Sequence, residues 1–220
     1  MSDEQSNGEF KHKLIETKQK WARDGRLLTG APDIAHALRL PPGQKEVKNW
    51  PILDLGVQPD VDRDSWRLTI DGLVEAPCIL TFSQFEALPQ TESVSDIHCV
   101  TQWSRYDNHW KGVASRDLFA LVRPKDEAKH VIFHSYDGYT TNVTREVFAA
   151  ADVVVAYQWE GETLTREHGG PVRIVIPRSY FWKSAKWVKR IEFSRDDKPG
   201  FWEARGYHNE GDPWREERYS

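Results

Sequence analysis

Ser95-Asp96-Ile97-His98-Cys99-Val100-Thr101-Gln102-Trp103-Ser104 brings an alternating, partly β-branched stretch up to a thiol and sets a tryptophan four positions beyond it. The alternation reads as a strand ending near Cys99. A thiol there has two readings. Free cysteine is among the most buried residue types and packs as a small hydrophobe. Facing a pocket, its thiolate is a soft metal ligand. Adjacent strand residues point to opposite faces, so His98 is directed away from whatever Cys99 faces. A zinc set of His98, Cys99, His109 and His134 therefore has no compact ligand spacing.

A second stretch, His168-Gly169-Gly170-Pro171-Val172-Arg173-Ile174-Val175-Ile176-Pro177, follows about seventy residues later. Its glycines allow close backbone approach to a ligand, and Arg173 opens a strand where a guanidinium can fork onto phosphate. Then comes Tyr180-Phe181-Trp182-Lys183-Ser184-Ala185-Lys186-Trp187-Val188. Small residues let main-chain N–H groups face an anion, and Lys183 and Lys186 add charge. Read alone, Lys183, Lys186, Lys189 and Arg190 serve equally well as a solvated basic face.

Composition bounds the function class. The 220 residues can bury one sizeable core, and the net charge of −4 argues against a general nucleic-acid binder. Two cysteines, Cys78 and Cys99, make neither a disulfide framework nor a zinc set. Ten tryptophans suit partly wet pocket walls, where indole donates from one edge. No apolar run approaches the roughly twenty residues of a membrane span, and the polar start Met1-Ser2-Asp3-Glu4-Gln5-Ser6 lacks an export pattern, so the cytoplasm is the expected location.

Residues 1–47 read as a disordered start, an amphipathic helix from Phe10 to Asp24 and a Pro-rich linker; residues 48–220 read as one domain. Trp66 to Gly72 alternates as a strand, Thr81 caps a short helix, and Trp110-Lys111-Gly112-Val113 reads as a turn. Ser115 is the expected cap of an apolar helix that stops before Pro124. Val131 to Ser135, Val153 to Tyr157, Val172 to Ile176 and Val188 to Phe193 read as strands, with Asp137-Gly138 turning the first. Short strands interleaved irregularly with short helices point to an α+β domain with mixed sheets. The tail from Trp202 to Tyr219 intersperses acids among its aromatics, which favours a cap over the core or pocket entrance over a nucleic-acid platform.

Together the Cys-Val-Thr-x-Trp-Ser, Gly-Gly-Pro-Val-Arg and Trp-Lys-Ser-x-Lys-Trp-Val motifs resemble the molybdopterin-binding domain of the sulfite oxidase superfamily. The resemblance runs over roughly residues 48 to 217 and is greatest to small bacterial sulfite-oxidase-like oxidoreductases without haem or dimerisation domains. It implies a sulfite oxidase fold and a Mo-molybdopterin cofactor. Cys99 takes the position of the thiolate that bonds molybdenum. Asn49 and Trp50 fall where the family contacts the pterin, and Ser135 where a cofactor-binding threonine stands. His168 and Arg173 match a pterin and a phosphate contact; Lys183, Ser184, Ala185 and Lys186 match the pterin-contacting segment. Tyr139 falls near the family's active-site tyrosine.

Sulfite oxidases follow the cysteine with paired arginines that hold an oxyanion; here only Arg105 could do that work. The loss of charge, with Trp103, Tyr106 and Trp110 crowding the segment, favours a small neutral S-oxide or N-oxide over sulfite. The expected activity is two-electron oxygen-atom transfer, with Cys99, Tyr139 and Arg105 at the reacting centre and electrons from a separate electron-transfer protein. Sulfite oxidation, and a molybdopterin carrier without turnover of its own, are the alternatives.

Overall fold

The computed structural model describes Ile15, Glu16 and residues 39–220. In chain order the elements are β1 (Lys45–Glu46), β2 (Arg67–Gly72), β3 (Cys78–Thr81), α1 (Phe82–Glu86), β4 (Thr91–Cys99), β5 (Trp103–Ala114), α2 (Ser115–Val122), β6 (His130–Ser135), β7 (Thr140–Thr144), α3 (Arg145–Phe148), β8 (Val154–Trp159), β9 (Glu162–Thr163), β10 (Arg173–Val175) and β11 (Val188–Ser194). Two mixed sheets with a few short helices form the α+β architecture expected from the sequence.

β5 is the axis of the first sheet. Its antiparallel partner β4 runs from Thr91 opposite Gly112 to Cys99 opposite Trp103. Along the other edge β5 pairs in parallel with β1 at Trp103 and Ser104, then antiparallel with β8 from Trp110 to Ala114. The second sheet has the order β3-β2-β11-β6-β7, with β2 and β11 parallel. Alternation buries Leu68 and Ile70 of β2 with Val131 and Phe133 of β6 and Ile191 and Phe193 of β11. Trp66 is enclosed beside them, its indole N–H donating to the Val188 carbonyl at 2.9 Å. A second apolar cluster, around Trp50, Trp103, Trp110 and Tyr180, contains Cys99, and Tyr139 packs against both clusters.

Thr81 caps α1 in a reciprocal box with Gln84, as its sequence signals. Three local expectations are corrected. Trp110 to Val113 is not a turn but the end of β5, where the register against β8 shifts between Lys111 and Gly112. A Cβ on Gly112 would lie 2.1 Å from the Val155 carbonyl oxygen, so this glycine permits close strand approach at a bulge. Ser115 is inside α2 rather than capping it; Ala114 is the cap residue, and the Ser115 hydroxyl is buried without a partner among the described residues. The stretch read as linker contains β1. The Phe10–Asp24 helix and the disordered start lie outside the described residues, apart from Ile15 and Glu16, which are helical, with Ile15 buried in the cysteine-containing cluster.

Gly112→Ala is expected to cost about 1–3 kcal/mol, because main chain and not a flexible side chain must yield. Chemical denaturation measures it; a loss below a few tenths would show that the β5–β8 seam relaxes freely.

Candidate active site

The β4–β5 turn opens onto a cleft of about 830 Å³, counted out to its mouth. Cys99 to Trp103 forms its floor, Trp50 to Leu55 one wall and the Ser135–Tyr139 turn another, while Phe181 to Trp187 and the tail residues Trp202 and Tyr207 close it. Cys99 is the last residue of β4 and almost fully buried. It forms no disulfide, and its Sγ is 3.1 Å from the Thr101 hydroxyl.

Arg173 is the decisive charge. It is 1% exposed, and its guanidinium donates only to carbonyl oxygens: His168 at 2.7 Å, Ser184 at 3.0 Å and Ile174 at 3.4 Å. The rings of Phe181 and Trp50 lie 4.3 and 5.2 Å from it. Burial draws its pKa down to about 9, which leaves it cationic at neutral pH. No carboxylate pairs with it among the described residues. Lys186, also on the cleft wall, donates to the Glu167 carbonyl at 2.5 Å.

Two further polar atoms fit a ligand. The Ser135 hydroxyl and the Trp103 indole nitrogen are buried and lack a partner among the described residues, although both side chains belong to the cleft lining. Buried donors are nearly always satisfied by protein, water or a ligand, and these two orphans, unlike that of Ser115, lie on the cleft, where a bound group would complete their bonding. A soft thiol, an uncompensated cation and two unpaired donors around one cleft suit a metal-bearing ring system with an anionic tail.

The cleft thus gathers Trp50, Cys99, Ser135, Tyr139, Arg173, Ser184 and Lys186. The Ser184 hydroxyl is committed to the Ile176 N–H at 2.9 Å, leaving its backbone to serve Arg173. The Tyr139 hydroxyl donates to the Trp182 carbonyl at 2.6 Å, and burial with the nearby Glu203 raises its pKa well above 10, so it stays a neutral phenol.

Five sequence-derived candidates sit elsewhere. Arg105 is outside the lining: its guanidinium stacks 4.7 Å over Trp159, donates to the Lys48 carbonyl at 3.2 Å and bonds Asn108 and Glu160. Lys183 turns inward, wholly buried, to pair with Glu203 at 2.6 Å and donate to the Asn142 carbonyl at 2.8 Å. Asn49 is exposed in a bend, and Ala185 packs in the main core. His168 backs the wall, stacked flat on Trp50 with centroids 3.9 Å apart. The paired glycines approach protein rather than ligand, since a Cβ on Gly170 would meet the Leu164 carbonyl oxygen at 2.2 Å. His98 bonds Ser104 at 2.8 Å, and His134 bonds Glu192 at 3.0 Å in the other sheet. Tyr106 and Trp110 are also outside the lining; Trp182, Trp202 and Tyr207 supply the aromatic wall instead. The aromatic-rich tail was the sequence signal for the last two.

Over residues 55–202 the sequence matches the family described as oxidoreductase molybdopterin binding domain. The chain belongs to that family. It is a molybdopterin-binding oxidoreductase. It is 46% identical over 183 residues to the uncharacterized oxidoreductase YuiH of Bacillus subtilis, covering 83% of this chain and 92% of that one. Chicken sulfite oxidase is 27% identical over 68% of this chain and 39% of its own length. The catalytic subunit of protein-methionine-sulfoxide reductase from Campylobacter jejuni is 27% identical over 64% of this chain and 52% of its own. Against these last two the chain therefore spans about half of the relative or less. The crystal structure of the sulfane dehydrogenase SoxCD of Paracoccus pantotrophus superposes with a TM-score of 0.58 at 25% identity, covering 63% of this chain and 40% of that one. Among the described residues no helix is long and apolar enough to cross a membrane.

Arg173→Met should leave the cofactor-free protein at least as stable as wild type, because it removes an unpaired buried charge, while reducing bound molybdenum and pterin about tenfold or more. Parallel thermal melts and metal analysis check both signs; loss of stability with full metal content would make Arg173 a purely structural residue.

His168 gives a pH signature. Burial first, then Arg173, Lys186 and Arg105, lower its pKa from 6.5 to about 4. The unfolded chain thus binds more protons between these values, so stability contributed by neutral His168 is complete above pH 6.5 and lost as the pH falls toward 4. His168→Asn is expected to flatten that part of the melting profile of cofactor-free protein.

Proposed function

We propose that this protein catalyses two-electron oxygen-atom transfer and that its preferred substrate is a small neutral S-oxide or N-oxide. The observation that carries the substrate class is the distribution of charge. Arg105, the one candidate for an oxyanion contact after Cys99, is spent on Trp159, Asn108 and Glu160. The cations of the lining are Arg173 and Lys186, which suit the anionic tail of the cofactor, and the lining also carries Asp54 and Asp137. A doubly charged oxyanion desolvated there would lack compensation, whereas aromatic walls suit a neutral molecule with one polar oxide.

The protein's residues take distinct parts. The Cys99 thiolate would ligate the metal; Arg173 and Lys186 would hold the phosphate, and the Ser135 hydroxyl and Trp103 N–H would donate to polar atoms of the bound group. When bound, the molybdenum centre supplies oxygen-atom transfer with a two-electron change. Tyr139, kept protonated by burial, can donate a hydrogen bond toward the substrate oxygen only by releasing the Trp182 carbonyl. Trp182, Trp202 and Tyr207 exclude water from the reacting end. In the reductive direction the substrate oxygen leaves as water, consuming two protons from solvent and two electrons from a separate electron-transfer protein.

Cys99→Ser should give a folded protein without oxygen-transfer activity and with an altered metal spectrum, since a hydroxyl is a harder and far less acidic ligand. Steady-state comparison with an artificial electron donor or acceptor tests the substrate class. A neutral sulfoxide or N-oxide should exceed sulfite in kcat/KM by more than about tenfold, equivalent to 1.4 kcal/mol in the barrier. The reverse ranking would establish sulfite oxidation, and stoichiometric molybdenum with no turnover of either class would favour a carrier.

A further inference from the structure

Behind Cys99, on the face of β4 turned away from the cleft, lies a buried chain of hydrogen bonds that the reaction does not touch. His98 Nδ1 is 2.8 Å from the Ser104 hydroxyl. That hydroxyl donates to Gln44 Oε1 at 3.3 Å, and Gln44 Nε2 donates to the carbonyl of Cys99 at 3.0 Å. Ser104 has one proton and gives it to Gln44, so His98 must be the donor at Nδ1. Every donor therefore points the same way along the chain, and the last lands on the residue that carries the thiol. Bonds aligned in this manner polarise and strengthen one another in a low-dielectric interior.

The turn they act on needs holding. Cys99 and Trp103 are paired across it, the Gln102 N–H donates back to the Cys99 carbonyl at 3.0 Å, and Gln102 has φ +67°, a left-handed conformation in a residue with a side chain. Such a residue persists only where its surroundings over-determine it. The strap carrying Gln44 supplies that: the Lys45 N–H donates to the Gln102 carbonyl at 3.0 Å and the Val47 N–H to the Ser104 carbonyl at 2.8 Å. Gln44 itself is 5% exposed and lies before residue 55, where the match to the family domain begins. A segment outside the matched domain thus grips the ligand-bearing turn from behind.

We propose that Gln44 is a positioning residue for the metal-ligating thiol, fixing the Cys99–Trp103 turn through the Gln44–Ser104–His98 chain. This rests on Cys99 being the metal ligand. Outer partners that orient a ligand commonly change metal affinity by 10–100-fold when lost. Gln44→Met keeps the length and packing but removes both bonds. Gln44→Glu at pH 8 keeps the acceptor for Ser104 and loses the donor toward Cys99.

Two readouts separate positioning from general stability. In a Cys78→Ser background, alkylation of cofactor-free protein by iodoacetamide reports how well the turn encloses Cys99. In the cofactor-loaded enzyme, the paramagnetic resonance spectrum of partly reduced metal reports the geometry of the thiolate. Both Gln44 variants should raise the alkylation rate about fivefold or more and shift the spectrum. Val131→Ala, a cavity in the second sheet, should lower the melting temperature and move neither. Should Gln44→Met fail to fold, Ser104→Ala breaks the chain in its middle and is expected to move both readouts in the same direction. Wild-type alkylation and spectra in Gln44→Glu would overturn the proposal, as would equal changes in Val131→Ala. A Cys99→Ser spectrum identical to wild type would instead overturn the ligand assignment, whatever the Gln44 variants do.

Discussion

Taking the Arg173 guanidinium out of water costs several kcal/mol, and carbonyl oxygens return only part of what a carboxylate would. The local chain is shaped by meeting that demand. The His168 carbonyl reaches the guanidinium because the chain turns at Gly169, where φ is +99°, and the Ser184 carbonyl does so because its own hydroxyl is tied to the Ile176 N–H. Phe181 and Trp50 present ring faces to the same cation. Trp50 in turn stacks on His168, whose protonation is disfavoured by burial and by the charge of Arg173. The Arg173 charge therefore sits where the β10 entry, the Phe181–Lys183 helical turn and the Trp50 wall meet.

Lys183, ten positions further along, shows the opposite solution. It is as deeply buried, yet Glu203 lies 2.6 Å away and Asn142 accepts from it twice. Glu203 also accepts from the Trp182 indole at 2.9 Å and the Thr141 hydroxyl at 2.8 Å. That cation is balanced within the protein, and its balance ties the tail to the cleft wall, carrying Trp202 and Tyr207 into the lining. Of two buried cations in one neighbourhood, Lys183 is compensated within the protein, and Arg173, without a carboxylate partner among the described residues, is the one proposed to meet a ligand. Charge type and position in sequence do not separate them; the carboxylate contributed by residue 203 does.

This is also why the sequence was legible to the extent it was. Alternation located β2, and continuous or near-continuous apolar runs located β6 and β11, within a residue or two, because all three bury side chains in the same core. The Cys99 turn and the Arg173 strand could be placed because an alternating stretch runs up to the thiol and a glycine pair precedes the arginine; their roles come from the resemblance of the surrounding motifs to the family. The reading of Gly112 failed because a glycine at a bulge and a glycine at a turn look alike locally; only the Val155 carbonyl opposite distinguishes them. Arg105 and Lys183 misled for a related reason, their partners Glu160 and Glu203 being 55 and 20 residues away. Asn49 and Ala185 were proposed by position in a motif, and the side chains next to them, Trp50 and Ser184, line the cleft instead. Gln44 carries no signal at all in a stretch punctuated by Pro41, Pro42 and Gly43.

The unsatisfied groups also say something about how the domain is stabilised. Arg173 without a carboxylate, and Ser135 and Trp103 without partners among the described residues, each hold free energy that a bound group would recover. A ligand that completes these bonds binds the native state and not the unfolded chain, and so adds its binding energy to stability. On the proposed reading, cofactor binding therefore stabilises the cleft relative to the empty domain. The back of the Cys99 turn, where β1, Gln44 and Ser104 are hydrogen-bonded within the protein, needs no ligand to complete it. On the proposed reading the thiol is thus held from the protein side before a metal binds, while the end that would take the phosphate, built around Arg173, gains its counter-charge only with the ligand.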